Sequence, residues 1–264
     1  MSMNIDFTSK TAVVFGAGRG IGQAIALELA KAGAKVYIAD LVLENCEAVK
    51  KDLIQLGYKA EAMAVDVSNY EQIDAVLEKA ESETGRLDIV INNAGIVTLD
   101  SFLDTPIEDI EKLIKVNLLG ANNGCQAAIK RMKKYNGGKI VNTSSFAGRR
   151  ALKQGFGHYG MTKAAVIYLT QAAAFAGADN NINVNAVCPG IIRSAMWEKI
   201  LDNYENHGVD KETAWKESLK TFIPLARGDQ KAEDIAYTVM FLCSEYANHI
   251  TGQALNVDGG ASMD

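Results

Sequence analysis

TAVVFGAGRGIG, residues 11–22, joins a short apolar run to a glycine-rich turn and then to a helical pattern. Five residues without a charge read as a buried strand, and the stretch 20–32 that follows repeats its apolar positions at helical spacing. The glycines are not arranged as GxGxxG, because Ile21 stands at the last position; Gly16, Gly20 and Gly22 fit GxxxGxG instead. Nor is this a nucleotide-hydrolase phosphate loop, since no Gly-Lys-Ser/Thr follows. A tight turn opening a helix lets the backbone approach a pyrophosphate and offers it free N–H donors, so Gly16, Arg19, Gly20, Ile21 and Gly22 are candidate dinucleotide contacts. A purely structural bend explains the glycines alone equally well.

Downstream the same rhythm continues. Strand-like runs stand at 35–39, 59–65, 88–91, 139–142, 182–187 and 254–257, with helical stretches at 43–56 and 71–84 and helix-length segments between the later runs. Apolar strands alternating with helices imply a mostly parallel sheet covered on both faces. The expected fold is α/β, one doubly wound domain over residues 1–264 with no linker or repeat. The stretch 194–222 is longer than a plain crossover needs. In it Met196/Trp197, Ile200/Leu201 and Tyr204 form an apolar stripe, read either as a packed helix or as a lid over a substrate cleft.

Asp40 ends the second strand, 18 residues after Gly22. A carboxylate there accepts hydrogen bonds from ribose hydroxyls and repels a 2′-phosphate, which favours NAD over NADP; Arg19 pulls the other way.

Composition excludes several classes. The formal net charge of −5 argues against nucleic acid or an anionic membrane as partner. The basic cluster Lys130, Arg131, Lys133 and Lys134 reads as a solvated helix end. Four scattered cysteines and three histidines, none at metal-ligand spacing, predict no metal site. No apolar run is long enough to span a bilayer. The first ten residues lack a basic flank followed by an apolar core, so a reducing, cytoplasmic setting is expected.

Further motifs follow in order: Asp66-Val67, Asn92-Asn93-Ala94-Gly95, Asn117, Ser144-Ser145, Tyr159-x-x-x-Lys163, Pro189-Gly190 and Asp258-Gly259-Gly260. With the glycine turn, this series resembles the short-chain dehydrogenase/reductase family over essentially the whole chain. The resemblance implies a Rossmann-type sheet of about seven strands, a homotetramer, and an oxidoreductase that moves a hydride between NAD(H) and a secondary alcohol or ketone. It implies that Asp66 and Val67 flank the adenine, that Asn93, Ala94 and Gly95 support cofactor and central strand, and that Pro189, Ile192 and Ser194 hold the nicotinamide carboxamide. Three positions depart from the family pattern. Phe15 stands where Thr usually precedes the first Gly, Ser194 stands where Thr is commoner, and Ser145 precedes Tyr159 by 14 residues rather than 13.

The four expected catalytic residues are Asn117, Ser145, Tyr159 and Lys163. Tyrosine, with a pKa of about 10, needs about 4 kcal/mol of preference for the phenolate to act as a base near neutrality. Lys163, one helical turn on, faces the same side and favours that anion, besides binding the nicotinamide ribose. Ser145 is expected to donate a hydrogen bond to the substrate oxygen, and Asn117, by resemblance, to hold a water linking Lys163 to solvent.

The first expectation for substrate is a small diol, acetoin or polyol, with Arg149, Arg150, Phe156, His158, Met196 and Trp197 as candidate lining and Arg149, Arg150 or His158 as candidate phosphate ligands. Hydroxysteroids and 3-oxoacyl thioesters are the alternatives. From other classes, a non-catalytic NAD-binding regulator and a methyltransferase remain as rivals.

Overall fold

The central strand runs TAVVF and IVIN are almost wholly apolar because both of their faces are buried. The computed structural model describes residues 4–98, 100–152, 156–226 and 229–263. Its strands are β1 (Thr11–Phe15), β2 (Lys35–Asp40), β3 (Ala60–Ala64), β4 (Ile89–Asn92), β5 (Gly138–Thr143), β6 (Ile182–Pro189) and β7 (Ala254–Val257). They form one parallel sheet in the order β3-β2-β1-β4-β5-β6-β7.

Side chains on a strand alternate between faces. Ala12 and Val14 of β1 join Ile25, Leu29, Val36, Ile38 and Val239 on one side, under α1 (Gly20–Lys31), α2 (Leu43–Gln55) and α9 (Ala232–Cys243). Val13 and Phe15 join Tyr37, Leu77, Val90, Ile129 and Ile140 on the other. That side is covered by α3 (Tyr70–Thr84), α5 (Gly120–Met132) and α6 (Gly157–Ala178). The doubly wound α/β reading therefore holds, strand by strand.

Two features depart from the sequence reading. The stretch 194–222 is two helices, α7 (Ala195–Asn206) and α8 (Lys211–Phe222), broken at Gly208, whose φ is +83°. Ser194 caps the first through Trp197 N–H, and Asp210 caps the second through Thr213 N–H at 2.9 Å. Trp197, Ile200, Leu201 and Trp215 are buried in a third apolar cluster with Phe146, whereas Tyr204 is exposed, so the stripe ends a turn early. The second departure is the basic cluster. Arg131 is not a solvated helix end: it pairs with Asp74 at 2.9 Å and Glu81 at 2.7 Å, tying α5 to α3.

Sequence order places β2 on one side of β1 and β4 on the other, so consecutive connections diverge from β1. In parallel sheets such a reversal opens a crevice beyond the carboxyl ends of the strands, which is where a ligand fits.

Candidate active site

A cavity of about 540 Å³ occupies that crevice, lined by residues following β1 through β6 and by α7. Its first wall is the glycine turn. Gly16 has φ +73°, and a Cβ there would fall 2.6 Å from the backbone of Ala94; Gly20 has φ +59° and faces open space. Asn93 Nδ2 donates to the Gly16 carbonyl at 2.9 Å, while Thr143 Oγ1 donates to Asn93 Oδ1 at 3.1 Å. The turn is thereby pinned to the ends of β4 and β5. Helix α1 starts at Gly20 without a side-chain cap. The N–H groups of Gly20, Ile21 and Gly22 have no acceptor among the described residues. A positive helix end with free donors facing a cavity fits a pyrophosphate.

Asp40 completes this end. Its Oδ2 accepts from Gly18 N–H at 3.0 Å and its Oδ1 from Leu41 N–H at 2.8 Å, so the carboxylate is held rigidly on the cavity wall with acceptor capacity to spare. Asp66 and Val67 also line the wall; Asp66 is braced by Ser68, whose N–H and hydroxyl both donate to it. Arg19, exposed and lining the same end, makes no ion pair among the described residues.

Tyr159 and Lys163 sit one turn apart on α6, buried and facing the cavity, with the lysine Nζ 5.7 Å from the tyrosine ring centre. Lys163 Nζ donates to the Thr143 carbonyl at 2.8 Å. Ser144 fixes the helix to β5 by donating to the Lys163 carbonyl at 2.7 Å. Ser145 opens a short turn, its Oγ accepting from Ala147 N–H at 3.1 Å. Burial pushes the Tyr159 phenol up to about 12, with a hydrogen bond to Ser145 pulling the other way. Burial also draws the Lys163 ammonium down to about 8. Burial sets both directions. Each group is desolvated and, among the described residues, no carboxylate shifts either, so burial moves both toward their neutral forms while the Lys163 ammonium persists below about pH 8.

Asn117 is brought to this constellation indirectly. It lies in a π-helical turn, Ile114–Leu119, between α4 (Ile107–Leu113) and α5. Its Oδ1 accepts from Ile96 N–H at 2.8 Å, and its Nδ2 donates to the Ile96 carbonyl at 2.9 Å and to Thr162 Oγ1 at 3.1 Å. No direct hydrogen bond to Lys163 is present, but both converge on Gly95, where a Cβ would meet Lys163 Nζ at 3.3 Å and Asn117 Oδ1 at 3.4 Å.

Of the remaining expected residues, Ala94, Pro189, Ile192 and Ser194 line the cavity. Gly22 does not: it packs beneath the turn, where a Cβ would come within 2.1 Å of the Gly16 carbonyl oxygen. Phe156, Met196 and Trp197 line the wall, whereas Arg149, Arg150 and His158 are not among the lining residues. Arg149 turns to the Ala254 carbonyl, Arg150 is exposed, and His158 stacks on Phe102 with ring centres 4.6 Å apart. The loop 146–158 that carries them includes residues 153–155, which lie outside the described residues. The sequence reading missed Thr143, Thr162, Ile96, Lys112 and Lys199. Thr143 had a legible signal as the residue leading into Ser144-Ser145; the two lysines had none, because only packing turns them to the cavity. Among the described residues no cluster of His, Cys, Asp or Glu could hold a metal ion, all four cysteines are free and buried, and no helix is long and apolar enough to cross a membrane.

Comparison with known proteins agrees with this fold. A family model described as enoyl-(acyl carrier protein) reductase matches residues 16–262. A diacetyl reductase, (S)-acetoin forming, from Staphylococcus epidermidis is 35% identical over 256 residues, covering 96% of this chain and 98% of that protein. A 3-oxoacyl-(acyl-carrier-protein) reductase from Staphylococcus aureus is 38% identical, covering 97% and 99%. Among solved structures, a short-chain type dehydrogenase/reductase from Mycobacterium marinum superposes with a TM-score of 0.89 at 32% identity, over 99% of this chain and 98% of that one.

Proposed function

The chain belongs to the short-chain dehydrogenase/reductase family, and from that premise we propose that it interconverts a secondary alcohol and a ketone using NAD(H), with Tyr159, Lys163, Ser145 and Asn117 as its catalytic set. The observation that carries the reading is the burial of Tyr159 and Lys163 together on the wall of a cavity whose other end is a free helix N-terminus.

A nicotinamide dinucleotide, when bound, supplies or takes the hydride. The chain's own groups bind and orient it. The N–H groups of Gly20 and Ile21 would hold the pyrophosphate beside Gly16, and Asp40 would accept from the adenosine ribose. Asp66 and Val67 would flank the adenine, Asn93, Ala94 and Gly95 would support the cofactor, and Pro189, Ile192 and Ser194 would hold the carboxamide. Asp40 rather than Arg19 sets the preference, because its carboxylate is fixed by two backbone N–H groups whereas Arg19 is exposed and untethered.

Proton movement falls to Tyr159. A phenol pushed up to about 12 holds its proton at neutral pH, ready to give it to an alkoxide forming on a ketone. Ser145 donates to the same oxygen and stabilises charge as it develops. In the opposite direction the phenolate needs positive charge beside it, and the Lys163 ammonium supplies that below about pH 8. Asn117 positions Ile96 and Thr162 around Lys163. We read the chain as one catalytic domain with 194–222 as its lid. It works in a reducing compartment, where four free thiols persist. We also read it as a homotetramer: Met161, Tyr168 and Phe175, seven residues apart on α6, present an exposed apolar face suited to a second copy.

Purified protein assayed at 340 nm with NADH and NADPH in parallel, over diketones, diols, polyols, 3-oxoacyl analogues and steroid ketones, tests the reading. Turnover with NADH above NADPH is expected. NADH binding without oxidation by any ketone would return the protein to the class of non-catalytic regulators.

A further inference from the structure

Beyond Tyr159 the cavity changes character. The Phe156 ring meets the Tyr159 ring edge-on at 6.3 Å and the Trp197 ring at 6.4 Å, and Trp197 packs edge-on against Trp215 at 5.5 Å. Phe146 and Phe222 close another part of the same wall, their ring centres 6.0 Å apart. Phe156 thus stands between the reacting phenol and Trp197 of α7, a continuous line of rings. Neither Arg149, Arg150 nor His158 reaches this surface; Lys199, one turn along α7 from Met196, is the charged side chain that this helix adds to the cavity.

The apolar lining continues outward. The ring of Phe102 packs on Gly157, where a Cβ would fall 2.8 Å from it, directly beside Phe156 in the chain. Phe102 and Leu103 are 67% and 89% exposed, which makes the rim next to Phe156 unusually rich in solvent-facing hydrocarbon.

We infer that the substrate is an uncharged ketone or secondary alcohol with a bulky hydrocarbon body, alicyclic or aryl, and that Phe156 and Trp197 set this specificity. The inference rests on the hydride-transfer reading above and narrows it. One oxygen of such a molecule reaches Ser145 and Tyr159 while its carbon skeleton lies on the rings. A polyol would lay hydroxyl groups on the rings of Phe156 and Trp197, which cannot pair with them, losing about tenfold or more in affinity for each one left unpaired. Each methylene laid on the rings gains about three- to fourfold.

The test is a homologous series, butanone to 2-octanone with cyclohexanone and a decalone, against dihydroxyacetone, xylulose and fructose 6-phosphate at fixed NADH. We expect kcat/KM to climb about threefold per methylene, and the polyhydroxy ketones to fall at least a hundredfold below the best hydrocarbon ketone. Trp197→Ala should lower kcat/KM for octanone at least tenfold while changing butanone less than threefold, and Phe156→Leu, a milder change, should act in the same direction. A flat or falling series overturns the inference, as does best turnover on the sugar phosphate, above all if Lys199→Met abolishes it.

A readout without turnover separates the two layers. Both tryptophans of the chain, Trp197 and Trp215, lie in this cluster. Cyclohexanol and decalol should therefore shift the protein's intrinsic fluorescence at concentrations at least tenfold below those of glycerol or glucitol. If no ketone is reduced but this preference holds, the hydride reading fails and the hydrocarbon site stands as a binding site. If ketones are reduced but the preference is absent, the specificity assignment fails alone.

Discussion

Two buried clusters of ionisable groups in this molecule are solved in opposite ways. Between α3 and α5, Glu81 is desolvated, which by itself raises its carboxyl. Tyr135, Arg131 and Lys134 donate to it at 2.6, 2.7 and 3.1 Å and outweigh that burial, holding it below the usual carboxylate range. At the cavity, Tyr159 and Lys163 are buried with no counter-charge, so both are driven toward their neutral forms. The first cluster is satisfied and holds two helices together. The second is left short of partners, as a site must be if a ligand is to complete it.

Removing the phenol should expose the contrast most sharply. Tyr159→Phe keeps the ring contacts to Phe156 and should lower kcat by about 10³-fold, with NADH affinity and melting temperature little changed. Retained activity at 340 nm would sink Tyr159 as the proton donor. The mirror experiment is Glu81→Ala, which removes the shared acceptor of Arg131, Lys134 and Tyr135 and leaves Arg131 with Asp74 alone. A loss of about 2 kcal/mol in urea unfolding is expected, with kcat per folded molecule unaltered.

A third measurement uses pH. The Lys163 value near 8 lies below the free-lysine value of 10.5, so between those limits the unfolded chain binds more protons than the folded one. Stability contributed by this group therefore rises with pH from about 8 to 10.5 and is lost as pH falls back through 8. The difference in unfolding free energy between the unmodified chain and Lys163→Met should grow across that window by at most about 3 kcal/mol. A difference independent of pH would mean that the ammonium is not penalised by burial. A smaller effect is expected at Asp40: Asp40→Ser should shift the ratio of NADH to NADPH affinity about tenfold toward NADPH, read by cofactor fluorescence titration. An unchanged ratio would hand the selectivity to Arg19.

Legibility in the sequence differed in kind between the two clusters. The Tyr159-x-x-x-Lys163 spacing was readable because both residues lie on one helix and helical geometry is local. Arg131 was misread as a solvated end because its partners, Asp74 and Glu81, lie on another helix and are joined to it only by packing. Asn117 was found by motif, but its work was not: the π turn that aims its amide at Ile96 and Thr162 has no signature in residue order. The helical character of 194–222 was legible from its stripe, whereas its break at Gly208 and the withdrawal of Arg149, Arg150 and His158 from the cavity were not.

By itself the sequence determined the alternation of strands and helices, the parallel sheet, the glycine turn with Asp40 beyond it, and which four residues are proposed for the chemistry. The first three follow from periodicity and from backbone demands that a few neighbouring residues meet, and the four residues from the family resemblance of their motifs. Tertiary structure alone decided which ionisable groups lost their water, which cations found partners, and that the Phe156 ring, rather than Arg149, Arg150 or His158, lies beside the phenol. Solvation and packing depend on residues far apart in the chain, and no local pattern encodes them.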